Sequence, residues 1–167
     1  SYYRILDLRE GINNAFNQGA KISYFHHSVG GYHPAKLSIY QDLIENQWYN
    51  FPNSMPTANM LNTKYFIQGD INKDTIPNPD ALGNAWFVQN VSVKPDAAAV
   101  MKTITNFNPA TQAVVEKQDW KLDTVYAKDS AASIKLMRKQ NDQMEYTSTS
   151  SSKQLAVFSE IYYTYGW

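Results

Sequence analysis

Residues 85–104 read AWFVQNVSVKPDAAAVMKTI, and they join two different kinds of pattern. The first half, from Ala85 to Val93, is rich in aromatic and β-branched residues and predicts a strand. Pro95 and Asp96 then stand at the start of an alanine-rich segment, which predicts a helix. A strand followed directly by a helix indicates a chain that mixes both kinds of element.

The same mixture continues toward the N-terminus. Apolar residues at spacings of three and four predict an amphipathic helix over about residues 34–49. Short strands are predicted at residues 3–8 and 64–68. The polar segment 13–19 is predicted to be a loop, and the segment 69–83, with its proline, aspartate and asparagine residues, is predicted to be irregular.

The last third of the chain has a different character. Four segments are typical of strands: residues 120–126, 133–136, 143–146 and 155–163. Their spacing is typical of an antiparallel sandwich. We therefore expect an α+β fold, in which residues 1–116 form a mixed half with one or two amphipathic helices. Residues 117–167 would form an antiparallel β-sandwich-like half, and the two halves would be separate domains or one continuous domain.

Composition argues against several classes of protein. The chain has 167 residues, 15 basic and 15 acidic side chains, and no cysteine. Such a balance of charge argues against a protein that binds nucleic acid, which needs a basic surface. The lack of cysteine excludes disulfides and thiolate metal sites. Twelve tyrosines and 25 asparagine and glutamine residues suit contacts with carbohydrate, and they equally suit an exported domain with a polar, uncharged surface.

All three histidines fall within eight residues, at His26, His27 and His33. A catalytic zinc site usually has three protein ligands, and adjacent residues of a strand point in opposite directions, so we expect neither a metal nor a cofactor here. Two interpretations stay open. The histidines form hydrogen bonds near the start of the following helix, or they contact a substrate.

The surrounding segment is the candidate ligand-binding surface. Its residues are His26, His27, Gly30, Gly31, Tyr32, His33 and Lys36. A glycine pair permits close approach of the backbone to a ligand, and a helix that begins near Pro34 would direct N–H groups toward a phosphate or a sugar hydroxyl. Lys36 would add a charge for a lipid phosphate. In the alternative interpretation, the aromatic residues pack into the core and the glycine pair only forms a turn.

No set of catalytic residues is complete within the chain. Neither a nucleophile elbow nor a phosphate-binding loop is present. Asp42 and Glu45 lie about one turn apart on the predicted helix, where we expect them to be solvated rather than to act as an acid and a base. The chain alone is therefore expected not to be catalytic.

Several segments together resemble the YfhO-like family of large bacterial membrane proteins. They are residues 23–37, 40–44, 59–67, 78–88 and 155–163, followed by Gly166 and Trp167. Their order and spacing agree with the family. Thr164 and Tyr165 depart from it, because the family often has Tyr-Pro before the final Gly-Trp.

The resemblance implies an integral membrane protein similar to type-C glycosyltransferases, which use polyprenyl-phosphate-linked sugars to modify cell-envelope glycans or lipids. It implies that this chain is an extracytoplasmic domain at a bacterial cell membrane. Family members continue beyond the Gly-Trp pair with further sandwich strands, so the resemblance also implies that residues 117–167 are truncated at the C-terminus within their sheet. Its partners would be the membrane part of the same polypeptide and a lipid-linked sugar or envelope glycan. The domain would recognise the sugar or acceptor, or have a structural role. The alternatives are a stand-alone carbohydrate-binding β-sandwich module and a structural or assembly domain without a ligand.

Overall fold

The computed structural model describes residues 2–17, 23–24, 26–31, 36–118, 122–140 and 143–162. The chain divides into two compact units, Ser1–Ala81 and Leu82–Trp167. Each unit contains both helices and strands, so the protein has an α+β fold. The boundary that the sequence predicts, between residues 116 and 117, lies inside the second unit.

The first unit contains a small sheet of mixed direction. In chain order its elements are β1 (Arg4–Asp7), α1 (Ile12–Asn17), α2 (Ser38–Asn46), a 3-10 helix (Trp48–Asn50), α3 (Met55–Met60), β2 (Thr63–Ile67) and β3 (Thr75–Pro77). β1 and β2 are parallel, whereas β2 and β3 are antiparallel. Ser28 forms an isolated parallel bridge to Ile5 of β1. Residue 28 thus adds a further parallel contact to β1.

Buried aromatic rings form the core of this unit. The rings of Phe16 in α1 and Trp48 lie 5.4 Å apart, and both side chains are fully buried. Phe51 packs on Phe66 of β2 at 5.3 Å. The prediction of a loop over residues 13–19 is therefore wrong at residues 13–17. These polar residues belong to α1, which is stabilised by the burial of Phe16.

The amphipathic helix predicted over residues 34–49 is present in a shorter form. α2 begins at Ser38, buries Leu43 and Ile44, and ends at Asn46, and the 3-10 helix follows it. The spacing of the apolar residues therefore identified the buried face, while residues 34 and 35 lie outside the described residues.

The segment 69–83, predicted to be irregular, contains a strand. β3 pairs with β2 at the edge of the sheet, with Pro77 opposite Tyr65. Proline cannot donate to a strand ladder, so it is tolerated mainly on edge strands. The prolines were therefore compatible with a short edge strand, and the prediction was wrong at residues 75–77.

The second unit contains paired strands and one helix. In chain order its elements are β4 (Ala85–Val88), β5 (Asn90–Lys94), α4 (Ala97–Ile104), β6 (Gln112–Glu116), β7 (Ser133–Lys139), β8 (Met144–Thr149) and β9 (Leu155–Phe158). β4 pairs with β9 and β7 with β8, both antiparallel, whereas β5 and β6 are parallel and are joined through α4. The β4–β9 pairing joins residues on both sides of the boundary predicted at residue 117.

The strand predicted over residues 85–93 is two strands. They separate at Gln89, whose N–H donates to the carbonyl of Thr111 and whose carbonyl accepts from the N–H of Tyr126. The helix predicted after Pro95 is confirmed, since the Asp96 carboxylate accepts from the N–H of Ala99 at 2.8 Å. Such an N-cap occupies a donor that has no partner within the helix.

In the last third, the strand pairings are antiparallel, as predicted. Ile134 and Leu136 are half-buried between exposed neighbours on β7, so they share one face. The strand predicted over residues 155–163 ends at Phe158. The described part of the strand predicted over residues 120–126 is reduced to an isolated antiparallel bridge at Val125.

Candidate functional site

The predicted site segment runs beside β1. The N–H of Ile5 donates to the carbonyl of His27 at 2.9 Å, and the N–H of Val29 donates to the carbonyl of Ile5 at 3.1 Å. These bonds hold residues 27–29 parallel to β1. The backbone of His27 is therefore fixed by the sheet, while its side chain is exposed.

Gly30 and Gly31 lie against the C-terminal end of α1. The N–H of Gly31 donates to the carbonyl of Ala15 at 2.8 Å. A Cβ atom at Gly30 would lie 2.2 Å from the same carbonyl oxygen. Gly31 has a φ of 126°, which side chains rarely permit. The glycine pair therefore permits a close approach of the backbone to α1, and the approach to a ligand that the sequence suggested stays a prediction.

Lys36 also contacts the end of α1. Its ammonium group donates to the carbonyl of Phe16. The last carbonyls of a helix lack partners within the helix and carry partial negative charge, so a cation is favourable there. We call Gly30, Gly31 and Lys36 the α1 clamp. This contact favours a structural role for Lys36 over binding to a lipid phosphate.

Tyr40 of α2 also contacts this segment, at Val29. Its hydroxyl donates to the carbonyl of Val29. Burial raises the pKa of Tyr40 well above its usual range, against the opposing effect of the positive charge of Arg4. The phenol therefore stays protonated at neutral pH and remains a hydrogen-bond donor.

Two of the predicted histidines are exposed. The ring of His27 meets the ring of Tyr2 edge to face, with 4.4 Å between the ring centroids and 68° between the ring planes. His26 precedes it and is also exposed. We call Tyr2 and His27 the aromatic–imidazole surface. It combines a flat apolar ring with imidazole nitrogens that donate and accept hydrogen bonds.

A buried arginine and a buried asparagine support this surface. The Arg4 guanidinium is centred 5.5 Å from the centroid of the Tyr2 ring, and its Nη1 donates to the carbonyl of Leu61 at 3.0 Å. Nδ2 of Asn62 donates to the carbonyl of Tyr2 at 3.0 Å. No local pattern pointed to Asn62, because it contacts Tyr2 from 60 residues further along the chain.

The structure thus places the described site residues in two groups with different surroundings. The α1 clamp holds a loop on a helix, and the aromatic–imidazole surface contacts solvent. Tyr32 and His33 lie outside the described residues. Within the described part of the chain, no group of three or more histidine, aspartate or glutamate side chains is arranged to hold a metal ion.

Three described carboxylates of this unit, Asp7, Asp42 and Glu45, are either paired with a cation or exposed. Asp42 and Glu45 are exposed on α2. Asp7 accepts hydrogen bonds from Nε and Nη2 of Arg9 at 2.9 and 2.7 Å. Partial burial acts to raise the pKa of Asp7, but the bonds from Arg9 outweigh it and lower that pKa. Asp7 is therefore ionised at neutral pH and is not suited to act as a general acid.

No protein-family model, curated protein or solved structure matches the chain. Among the residues that are described, no helix is both long enough and apolar enough to cross a bilayer. The resemblance to the YfhO-like family therefore stays a prediction from the sequence.

Proposed function

We propose that this chain is an extracytoplasmic recognition domain of a bacterial membrane protein that is similar to glycosyltransferases using polyprenyl-phosphate sugars. In this proposal the chain binds a sugar or an acceptor glycan and does not transfer it. The observation that carries recognition is the aromatic–imidazole surface, in which Tyr2 and His27 meet at 4.4 Å. The sequence resemblance supplies the membrane and the cell envelope as the setting.

The chemistry of this surface suits a sugar. A pyranose presents a flat face of C–H groups, which packs on an aromatic ring, and a rim of hydroxyls, which donate and accept hydrogen bonds. Tyr2 offers the ring, and the exposed His27 offers ring nitrogens for hydrogen bonds.

A structural role without a ligand is the second candidate. The α1 clamp favours it, because Gly31 and Lys36 both contact carbonyls at the end of α1. These residues hold the loop whether or not anything binds. The two candidates make opposite predictions for glycan binding by the purified chain.

A binding experiment separates them. The purified 167-residue chain is applied to an array of bacterial envelope glycans at pH 7, with its His26→Ala/His27→Ala variant as the control. Binding that the double variant loses, at an unchanged melting temperature, supports recognition. Absence of binding by the unaltered chain supports the structural role and contradicts the proposal.

The setting is tested separately in the native reading frame. Alkaline phosphatase, which is active only outside the cytoplasm, is fused after residue 167, and green fluorescent protein is fused at the same place in a parallel strain. We expect phosphatase activity without fluorescence. Fluorescence without phosphatase activity would place the domain in the cytoplasm and overturn the proposed location.

A further inference from the structure

We infer that Met137 is a site of selective and reversible oxidation, at which a peroxide converts the thioether to a sulfoxide while the fold is preserved. This modification site lies in the second unit, in the hairpin of β7 and β8. It does not depend on the proposed function, because no residue of the aromatic–imidazole surface takes part in it.

Met137 lies at an irregularity of the β7–β8 ladder. Leu136 is opposite Tyr146 in this ladder. The next pair is Arg138 with Glu145, and the register shifts between the two pairs. Met137 is therefore the extra residue of a β-bulge and has no residue of its own opposite it on β8. Opposite side chains of an antiparallel pair lie close together, so the bulge removes the neighbour that would shield the thioether.

Solvent contact distinguishes Met137 from the other methionines. The chain has five methionines, and all of them are among the described residues. Met137 is 67% exposed. The other four are half-buried: Met55, Met60, Met101 and Met144. Since an oxidant has to reach the sulfur atom directly, the sulfur of Met137 is expected to react first.

Met144 provides a comparison within the same hairpin. It lies on β8 opposite Lys139, and its sulfur accepts a hydrogen bond from the hydroxyl of Tyr146 at 3.5 Å. The sulfur of Met144 is thus partly covered, and one of its lone pairs is engaged. The hairpin therefore contains one covered and one exposed thioether in otherwise similar surroundings.

The fold is expected to tolerate a sulfoxide at Met137. Its sequence neighbours Leu136 and Arg138 differ in exposure, since Leu136 is half-buried and Arg138 is exposed and paired with Glu145. Lys135 is exposed as well. The side chain of Met137 thus shares its surroundings with charged groups in water. A sulfoxide oxygen formed there remains hydrated, so oxidation buries no polar group.

The reaction is an oxygen transfer from hydrogen peroxide. A sulfur lone pair attacks one peroxide oxygen, an S–O bond forms, and the O–O bond breaks. The sulfur gives up two electrons, and the departing hydroxide takes the proton of the transferred oxygen and becomes water. Methionine sulfoxide reductases reverse the change, because two thiols supply two electrons and yield the thioether, a disulfide and water.

The test follows all five methionines at once. The purified 167-residue chain is treated with hydrogen peroxide at pH 7, the reaction is stopped with catalase, and peptide mass spectrometry measures the sulfoxide at each methionine over time. The same reaction is run on the chain unfolded in urea. Met137→Leu removes the exposed sulfur at nearly the same size, and Met144→Leu is the matched control in the same hairpin.

In the folded chain, Met137 should be oxidised at least about threefold faster than any other methionine, and in urea the five rates should converge. Met137→Leu should remove the fastest reaction, and Met144→Leu should leave it in place. The chain oxidised at Met137 alone should keep its melting temperature within about 2 °C. The two reductases that act on the two sulfoxide epimers, supplied with dithiothreitol, should restore the original mass.

Three results would overturn the inference. Another methionine that reacts as fast as Met137 in the folded chain would show that the bulge does not make this sulfur selectively accessible. A melting temperature that falls by several degrees after oxidation of Met137 alone would show that the fold is not preserved. A sulfoxide that the reductases leave in place would show that the change is not reversible. Glycan binding is tested separately by the array and stays unaffected by these outcomes.

Discussion

The two units of this protein are stabilised in different ways. Of the buried hydrophobic residues in the described part of the chain, twelve lie in Ser1–Ala81 and four lie in Leu82–Trp167. The first unit packs helices and aromatic rings on one sheet. The described part of the second consists of strand pairs and α4, its strands have mostly half-buried apolar faces, and Met137 of β7 is 67% exposed.

This difference shows that similar proportions of secondary structure can rest on different interactions. In the first unit the side chains interlock, so a surface residue such as Tyr2 is held from several directions. In the second unit backbone ladders join the strands, and side chains contribute less burial. A preformed binding surface is therefore better supported in the first unit than in the second.

The largest loss of stability that tests this contrast is expected for Trp48→Ala. Trp48 is fully buried against Phe16, so its removal should cost about 3–5 kcal/mol of unfolding free energy. Leu136→Ala in the half-buried face of β7 should cost less than about 2 kcal/mol, below the usual range for a buried leucine. Urea unfolding followed by circular dichroism measures both, and equal losses would contradict the proposed contrast.

A smaller loss is expected for Gly30→Ala. The new Cβ would lie 2.2 Å from the carbonyl oxygen of Ala15, so the loop or α1 must shift. Crowding of this kind typically costs about 1–3 kcal/mol. A clearly lower melting temperature is expected in thermal unfolding, and an unchanged one would mean that the clamp does not contribute to the stability of the first unit.

Among the described residues, the core of the first unit also contains a buried hydroxyl that has no hydrogen-bond partner. Within the described residues, Oγ1 of Thr57 is buried and has no hydrogen-bond partner. Thr57→Val keeps the shape and removes the hydroxyl, so stability should stay the same or rise by up to about 1 kcal/mol.

The matched control at this position is Thr57→Ser. It keeps the hydroxyl but loses a methyl group, and it should cost about 0.8 kcal/mol. Urea unfolding compares the two variants. A loss of stability in Thr57→Val would contradict the expectation and indicate that the hydroxyl binds an internal water molecule.

The smallest effect concerns pH and the second unit. Hydrogen bonds from the N–H and the hydroxyl of Ser151, at 2.6 and 2.8 Å, lower the pKa of Asp129. Because the folded pKa is lower than the unfolded value of about 3.9, this contribution to stability is fully present above that value and is lost as the pH falls through the folded pKa.

An NMR titration of the Asp129 carboxyl group measures this shift. The midpoint should lie below about 3.9 in the unaltered chain and move upward in Ser151→Ala. A midpoint at or above the ordinary value would contradict the hydrogen bonds between Asp129 and Ser151.

Local signals allowed some elements to be predicted well. The helix after Asp96 depends on a cap and on alanines within a few residues, so the sequence alone identifies it. The segment that became α1 has no such signal, since its composition is polar and its helix depends on Phe16 meeting Trp48, far along the chain. Contacts of that range are not visible in a local pattern.

The candidate site shows the same limit. The sequence indicated that Gly30 and Gly31 permit a close backbone approach, and the structure assigns Ala15 as the partner. His27 was a candidate by clustering alone. Tyr2 was not, because it reaches His27 only when β1 and residues 27–29 lie side by side.

The parallel pairing of β1 with β2 also bears on the order in which the molecule can fold. Arg4 is opposite Thr63, so β1 has no β2 partner until that later part of the chain has been synthesised. Pairing of distant segments is slow compared with a hairpin such as β7–β8, which joins neighbours and forms within about 1–10 μs. During synthesis Tyr2 therefore leaves the ribosome 60 residues before Asn62, which later fixes its carbonyl. The surroundings of Tyr2 are therefore complete only after β2 has emerged and paired with β1.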